Sequence, residues 1–125
     1  MAKRILVIED QTKVSAVVQR RLESAGYEVI TALDGPEGLG KARSGKPDLI
    51  VLDLILPGIS GYQVCTLLKK DDACKQIPVL ILTARAQEQD IKEGMRVGAE
   101  AYMTKPYKSG ALLAKVAELL AKPRT

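Results

Sequence analysis

The chain contains no histidine, no tryptophan and no phenylalanine. Without an imidazole there can be no Ser-His-Asp or Cys-His nucleophile, no histidine metal ligand and no phosphohistidine relay within the chain. Any chemistry must run on carboxylate, hydroxyl, amine or thiol groups. Aromatic residues make up 3% of the chain and are all tyrosine, so stacking platforms for single-stranded nucleic acid are not expected. Two cysteines, Cys65 and Cys74, are too few for a structural zinc site and fit reduced thiols better than a disulfide framework. No apolar stretch approaches a membrane span, and Met1 to Arg4 leave no room for a signal peptide. A cytoplasmic protein away from membranes is the expectation. The 19 basic and 15 acidic residues are scattered, with no basic run long enough to read as a nucleic-acid arm. Direct nucleic-acid binding is therefore not expected.

What the chain does have is an ordinary globular balance, with 46% apolar and 27% charged residues over 125 positions. That suits one domain over residues 1–125, with its core at about 3–121. Residues 122–125 read as a tail or the start of a linker. Three short runs are almost wholly apolar: Ile5 to Ile8, Leu49 to Leu52 and Val79 to Leu82. Such runs, rich in β-branched residues and far apart, predict parallel strands buried on both faces. Weaker strands are expected at Tyr27 to Thr31 and Ala101 to Thr104, with the mixed character of sheet edges.

Helical patterns fill the gaps. The first carries Val14, Val17, Val18 and Leu22 and ends at Gly26. A second follows Asp34 and is weakened by Gly38 and Gly40. In the third, Ser60 and Gln63 have the spacing of a capping box. The fourth, from Gln87 to Val97, is polar, with Ile91 and Met95 as its expected apolar contacts and Gly98 as its stop. The fifth follows Ser109, a candidate N-cap, and carries Leu112, Val116 and Leu119. Strand and helix alternate five times, which predicts an α/β doubly wound parallel sheet. Placing the apolar strands centrally gives the order 2-1-3-4-5.

In such sheets ligands bind beyond the carboxyl ends of the strands. The residues there are Glu9 and Asp10 after the first strand, Asp53 after the third, Thr83 ending the fourth and Lys105 after the fifth. Converging carboxylates repel one another, and a hard divalent cation such as Mg2+ relieves that repulsion through oxygen ligands. A carboxylate can act as the nucleophile toward a phosphoryl group. Asp53 suits this role, because the paired acids Glu9 and Asp10 are left to hold the ion. Lys105 and Thr83 can then pair with phosphoryl oxygens. Taken singly, each residue has a plainer reading: Glu9 and Asp10 as caps of the first helix, Asp53 as a turn residue, Thr83 as a strand-end hydroxyl. Cys65 reads as a core thiol, Cys74 as a surface thiol, and Gly58 and Gly61 as turn residues.

Six segments, in this order and spacing, carry a resemblance: Ile5 to Asp10, Pro47 to Asp53, Leu56 to Gly61, Pro78 to Ala84, Gly98 to Tyr102 and Thr104 to Pro106. Along nearly its whole length the chain resembles a receiver domain of two-component response regulators, a flavodoxin-like (βα)5 fold. The resemblance implies that Asp53 is the phosphoacceptor and that Asp10 binds Mg2+ directly. Glu9 would act as an outer acid, and the backbone carbonyl of Ile55 would complete the metal shell. It further implies that Thr83 and Tyr102 form a switch pair and that the Lys105-Pro106 bond is cis. The implied partners are a sensor histidine kinase or phosphotransfer protein and a downstream output domain or protein. Such a chain is not an enzyme beyond catalysing its own phosphorylation and dephosphorylation. The fourth helix, fifth strand and fifth helix would form the output face. Lys92, Glu93, Arg96, Glu100, Lys115 and Glu118 could support a phosphorylation-dependent homodimer there, although Ala101 and Ala117 lack charges common at those places. Ile55 and Arg85 would modulate water attack on the phosphoryl group.

Three other readings stand beside this one. The first is a receiver-like interaction module not regulated by phosphorylation. The second is a magnesium-dependent aspartyl phosphatase, which would want a second acid where Ile55 stands. The third is a nucleotide or flavin carrier, for which the loop at Glu9-Asp10-Gln11 is too acidic.

Overall fold

The computed structural model describes residues 2–123, so part of the expected tail, Arg124 and Thr125, lies outside the described residues. The strands are β1 (Arg4–Ile8), β2 (Glu28–Ala32), β3 (Leu49–Leu52), β4 (Val79–Thr83) and β5 (Ala101–Thr104). The helices are α1 (Thr12–Ser24), α2 (Gly35–Gly45), α3 (Gly61–Lys70), α4 (Glu88–Arg96) and α5 (Ser109–Ala121). All strand pairings are parallel and the sheet order is β2-β1-β3-β4-β5, as the apolar runs predict.

Side chains alternate across each strand, so the sheet feeds two cores. Ile5, Val7, Leu49, Val51, Leu80 and Leu82 pack with Val18 and Leu22 of α1 and with Leu112, Val116 and Leu119 of α5. On the other face, Leu6, Ile8, Ile50, Leu52 and Ile81 pack with Ala42 of α2 and with Val64, Cys65 and Leu68 of α3.

Local signals set most helix starts. Ser60 and Gln63 form the expected capping box, Ser60 Oγ accepting the Gln63 N–H at 3.3 Å and Gln63 Oε1 accepting the Ser60 N–H at 2.9 Å. A cap of this kind stabilises a helix by about 1 kcal/mol. Asp34 caps α2 by accepting the Glu37 N–H at 2.9 Å.

Several expectations are corrected. β2 begins one residue later than Tyr27, because the Tyr27 N–H closes the turn after α1 on the Leu22 carbonyl at 3.2 Å. Ser109 is the first residue of α5 rather than its cap; Lys108 takes the cap position, and the Ser109 hydroxyl accepts a bond from the Arg21 guanidinium on α1. Gln11, not Asp10, stands at the N-cap of α1. Ile91 and Met95 are exposed, at 37% and 46%, and Gly94 is the buried residue of α4. A Cβ there would stand 2.9 Å from both Ile81 Cδ1 and Tyr102 Cδ2, so this bare backbone position seats α4 on the sheet. Cys74 is buried in the same core as Cys65, because its turn folds inward with the Cys74 N–H on the Asp71 carbonyl at 2.9 Å. Gly58 is the turn residue expected, at φ 76°, whereas Gly61 opens α3.

Candidate functional site

The strand register builds the site. Ile8 pairs with Leu52 and Leu52 with Ile81, so β1, β3 and β4 end nearly level. The Asp53 N–H continues the ladder to the Ile8 carbonyl at 3.1 Å, and the Lys105 N–H reaches the Thr83 carbonyl at 2.8 Å. Glu9, Asp53, Thr83 and Lys105 are thereby brought to one end of the sheet.

Lys105 Nζ donates to Glu9 Oε1 at 2.7 Å and to Asp53 Oδ2 at 3.1 Å. Both acids are nearly closed to solvent, Glu9 at 4% and Asp53 at 7% exposure, and Thr83 is fully buried. The other Asp53 oxygen, Oδ1, accepts the Ile55 N–H at 3.0 Å. Glu9 Oε2 accepts the Gln11 N–H at 3.0 Å.

The two carboxyls respond oppositely. Burial pushes the Glu9 carboxyl up from its ordinary 4.5 to about 7, against the pull of the Lys105 and Gln11 bonds. Burial acts on Asp53 in the same direction, but bonds from the Ile55 amide, Glu9, Thr83 and Lys105 together outweigh it and hold Asp53 below its ordinary value. Burial pulls the Lys105 ammonium down, and its two carboxylate partners more than reverse this, so it stays protonated. The cluster thus keeps one carboxylate charged and lets the other share a proton.

Asp10, the residue after Glu9, is not among the hydrogen-bond partners of Lys105. It is exposed, and among the described residues no group of three acidic, histidine or cysteine side chains is set to hold a metal ion. Two of the three expected carboxylates, Glu9 and Asp53, thus meet at the Lys105 ammonium, and Asp10 follows Glu9 at the end of β1 with its side chain exposed. The Lys105-Pro106 bond is cis. Ile55, whose N–H bonds Asp53, is 52% exposed.

Tyr102 is half-buried against the core face that holds Ile81, and its hydroxyl donates to the Arg85 carbonyl at 2.8 Å. Thr83 Oγ accepts the Arg85 N–H at 3.4 Å. Two further residues support the site, Gly61, expected only as a turn residue, and Tyr62, which the sequence did not single out. Gly61 lets α3 approach the loop after β3, its N–H donating to the Leu54 carbonyl at 2.9 Å. Tyr62 donates its hydroxyl to the Asp90 carbonyl of α4 at 3.1 Å. A glycine at a helix start was a usable signal for the first; nothing local announces the second.

The charges expected at a dimer face are engaged within the chain. Lys92 pairs with Glu88 at 3.1 Å, Arg96 with Glu93 at 2.5 Å, Lys115 with Glu118 at 2.8 Å, and Glu100 with Lys69 at 2.8 Å. No helix among the described residues is long and apolar enough to cross a membrane.

Comparison with known proteins agrees with this geometry. The family model described as the response regulator receiver domain matches residues 5–117. The chain is 44% identical over 120 residues to the alkaline phosphatase synthesis transcriptional regulatory protein PhoP of Bacillus subtilis, covering 96% of this chain and 49% of that protein. It is 46% identical to the DNA-binding dual master transcriptional regulator RpaA of Synechocystis, covering 94% of this chain and 48% of that one. The chain thus spans about half the length of these curated relatives. Among solved structures, the chemotaxis protein CheY4 of Vibrio cholerae superposes with a TM-score of 0.89 at 30% identity, over 95% of this chain and 99% of that one.

Proposed function

Because the chain belongs to the response regulator receiver domain family, a family of phosphorylation-dependent signalling, we propose that Asp53 is its phosphoacceptor. A sensor histidine kinase or phosphotransfer protein would be the donor. The observation that carries this reading is the pair of hydrogen bonds from Lys105 Nζ to Glu9 and Asp53, drawn from strand ends 96 and 52 positions away. A cation fixed beside a carboxylate held charged is what attack on a phosphoryl group requires.

Asp53 would attack phosphorus with a carboxylate oxygen, forming an O–P bond while the donor's N–P bond breaks and its imidazole leaves with a proton. Lys105 would move its hydrogen bond from Asp53 to an incoming phosphoryl oxygen, and the buried Thr83 hydroxyl would donate to another. The donor atoms near Asp53 are hard oxygens, and two buried carboxyls share a single ammonium; both features suit Mg2+. Glu9, Asp10, Asp53 and the Ile55 carbonyl would hold it. When bound, Mg2+ supplies positive charge against the phosphoryl oxygens.

The output would be read on α4, β5 and α5. Exposed Ile91 and Met95 give α4 an apolar patch that supports a protein partner there. The relatives include transcriptional regulators about twice this length, so an output domain controlled in cis is the reading favoured, with nucleic-acid contact outside this domain. A phosphorylation-dependent homodimer would have to re-pair charges now engaged within the chain.

The test is intact mass after incubation with acetyl phosphate and Mg2+, for the wild type and Asp53→Asn. One phosphoryl group gained by the wild type, dependent on Mg2+ and absent in the variant, is expected. Equal gain in both proteins would move the acceptor elsewhere; no gain with either acetyl phosphate or a kinase would favour an unphosphorylated interaction module.

A further inference from the structure

α4 is lightly held. Only Gly94 of this helix is buried, and Ile91 and Met95 face solvent. Elements with so little burial are those that move first. Its position must therefore depend on the few polar bonds that reach it.

Two of those bonds are tyrosine hydroxyls from opposite sides. From β5, Tyr102 donates to the Arg85 carbonyl at 2.8 Å, in the loop leading to α4. From α3, Tyr62 donates to the Asp90 carbonyl at 3.1 Å, in the first turn of α4. Loop and first turn are themselves one unit. Asp90 accepts from the Arg85 guanidinium at 3.4 Å and from the Gln87 N–H at 3.3 Å. Both tyrosine rings pack against the same core cluster, and the Tyr102 ring occupies the space left by the missing Cβ of Gly94. The same loop leads back to Thr83 at the end of β4, whose Oγ accepts the Arg85 N–H at 3.4 Å.

We propose that the Tyr62 hydroxyl is a positioning group for the phosphorylation response. By holding the first turn of α4 from the α3 side, it keeps Tyr102 packed beneath that helix and the Arg85 loop on the Thr83 hydroxyl. An apolar side chain at residue 62 would fill the same core space, so only the hydroxyl accounts for the bond to Asp90. This inference rests on the reading of Asp53 as phosphoacceptor.

The experiment is a titration of the full chain with beryllofluoride at fixed Mg2+, followed by the amide resonances of residues 84–97. Wild type, Tyr62→Phe, Tyr102→Phe and the double variant are compared. Phenylalanine keeps the ring and removes only the hydroxyl. Tyr62→Phe is expected to bind roughly threefold to tenfold more weakly, the range spanned by one net hydrogen bond. The loss should shrink in the Tyr102→Phe background, because both hydroxyls anchor one unit. A role confined to stability would lower the unfolding midpoint and leave the affinity at its wild-type value; that result overturns the proposal. An undiminished loss in the Tyr102→Phe background overturns it as well. Failure of the wild type itself to bind would sink the phosphoacceptor reading, and it is visible before any variant is compared.

Discussion

A Cβ on Gly61 would overlap the carbonyl oxygen of Asp53 and stand 2.6 Å from Leu54 Cα. The start of α3 is therefore pressed against the backbone that aims the Asp53 side chain. The contact is with backbone on both sides, so no side chain can swing away to relieve it.

Gly61→Ala should force α3 or the 53–55 loop to shift. Overpacking of this kind destabilises by about 1–3 kcal/mol. The urea midpoint should fall, and the mass gain with acetyl phosphate should slow beyond what the lost stability explains. A variant with wild-type midpoint and rate would show that the loop yields without consequence.

Lys105→Met should slow phosphoryl gain by on the order of a hundredfold, because it removes a donor aimed at the reacting oxygens. Lys105→Arg keeps the charge but not the compact ammonium that fits between Glu9 Oε1 and Asp53 Oδ2, so it should fall between wild type and Lys105→Met. Time courses of intact mass measure all three. Equal rates for wild type and Lys105→Met would remove Lys105 from the reaction.

The Glu9 carboxyl makes stability depend on pH in a direction opposite to most acids. Folding raises it from about 4.5 to about 7 through burial, partly offset by Lys105 and Gln11. Between those values the folded chain keeps a proton that the unfolded chain releases, so the unfolding free energy falls as pH rises. Asp53 shifts downward and titrates below this window. In metal-free buffer the wild type should lose stability relative to Glu9→Gln between about pH 4.5 and 7. Urea midpoints at several pH values read this, and a constant difference would contradict it.

Much of this was legible in the chain itself. Three β-branched runs can only be central strands, and the polar residue closing each one marks the site edge. That reasoning places Glu9, Asp53, Thr83 and Lys105 correctly. Asp10, next to Glu9 at the same strand end, is exposed where Glu9 is buried, a difference that residue type alone does not encode. The same reasoning misreads α4, whose apolar spacing points to Ile91 and Met95 while the actual contact is a glycine that carries no hydrophobic signal. Cys74 and Tyr62 depend on where a turn or a neighbouring helix lands, which residue type alone does not encode.

The buried thiols give a simple check on the packing of the 71–77 turn. Burial raises Cys65 to about 11 and also lifts Cys74 above its ordinary value. A thiol reagent at neutral pH should label neither in the folded protein and both in denaturant. Rapid labelling of Cys74 under native conditions would mean that this turn opens.

On the reading of Asp53 as phosphoacceptor, the lifetime of the phosphorylated state is set by what surrounds that side chain. Loss of the phosphoryl group needs a water molecule brought in line with the bond to be broken, and a polar side chain at the rim is the usual means of orienting it. Ile55, two residues beyond Asp53 and 52% exposed, has no group to do so. Arg85, two residues beyond Thr83, has its guanidinium on Asp90 at 3.4 Å. The phosphorylated chain should therefore persist for minutes or longer, and Ile55→Asn should shorten its life by roughly tenfold by supplying an amide to the water. Mass spectra taken after removal of acetyl phosphate give the decay directly. A wild-type lifetime of only seconds would mean that water finds its own way to Asp53, and that the side chain at residue 55 is not what controls the signal's duration.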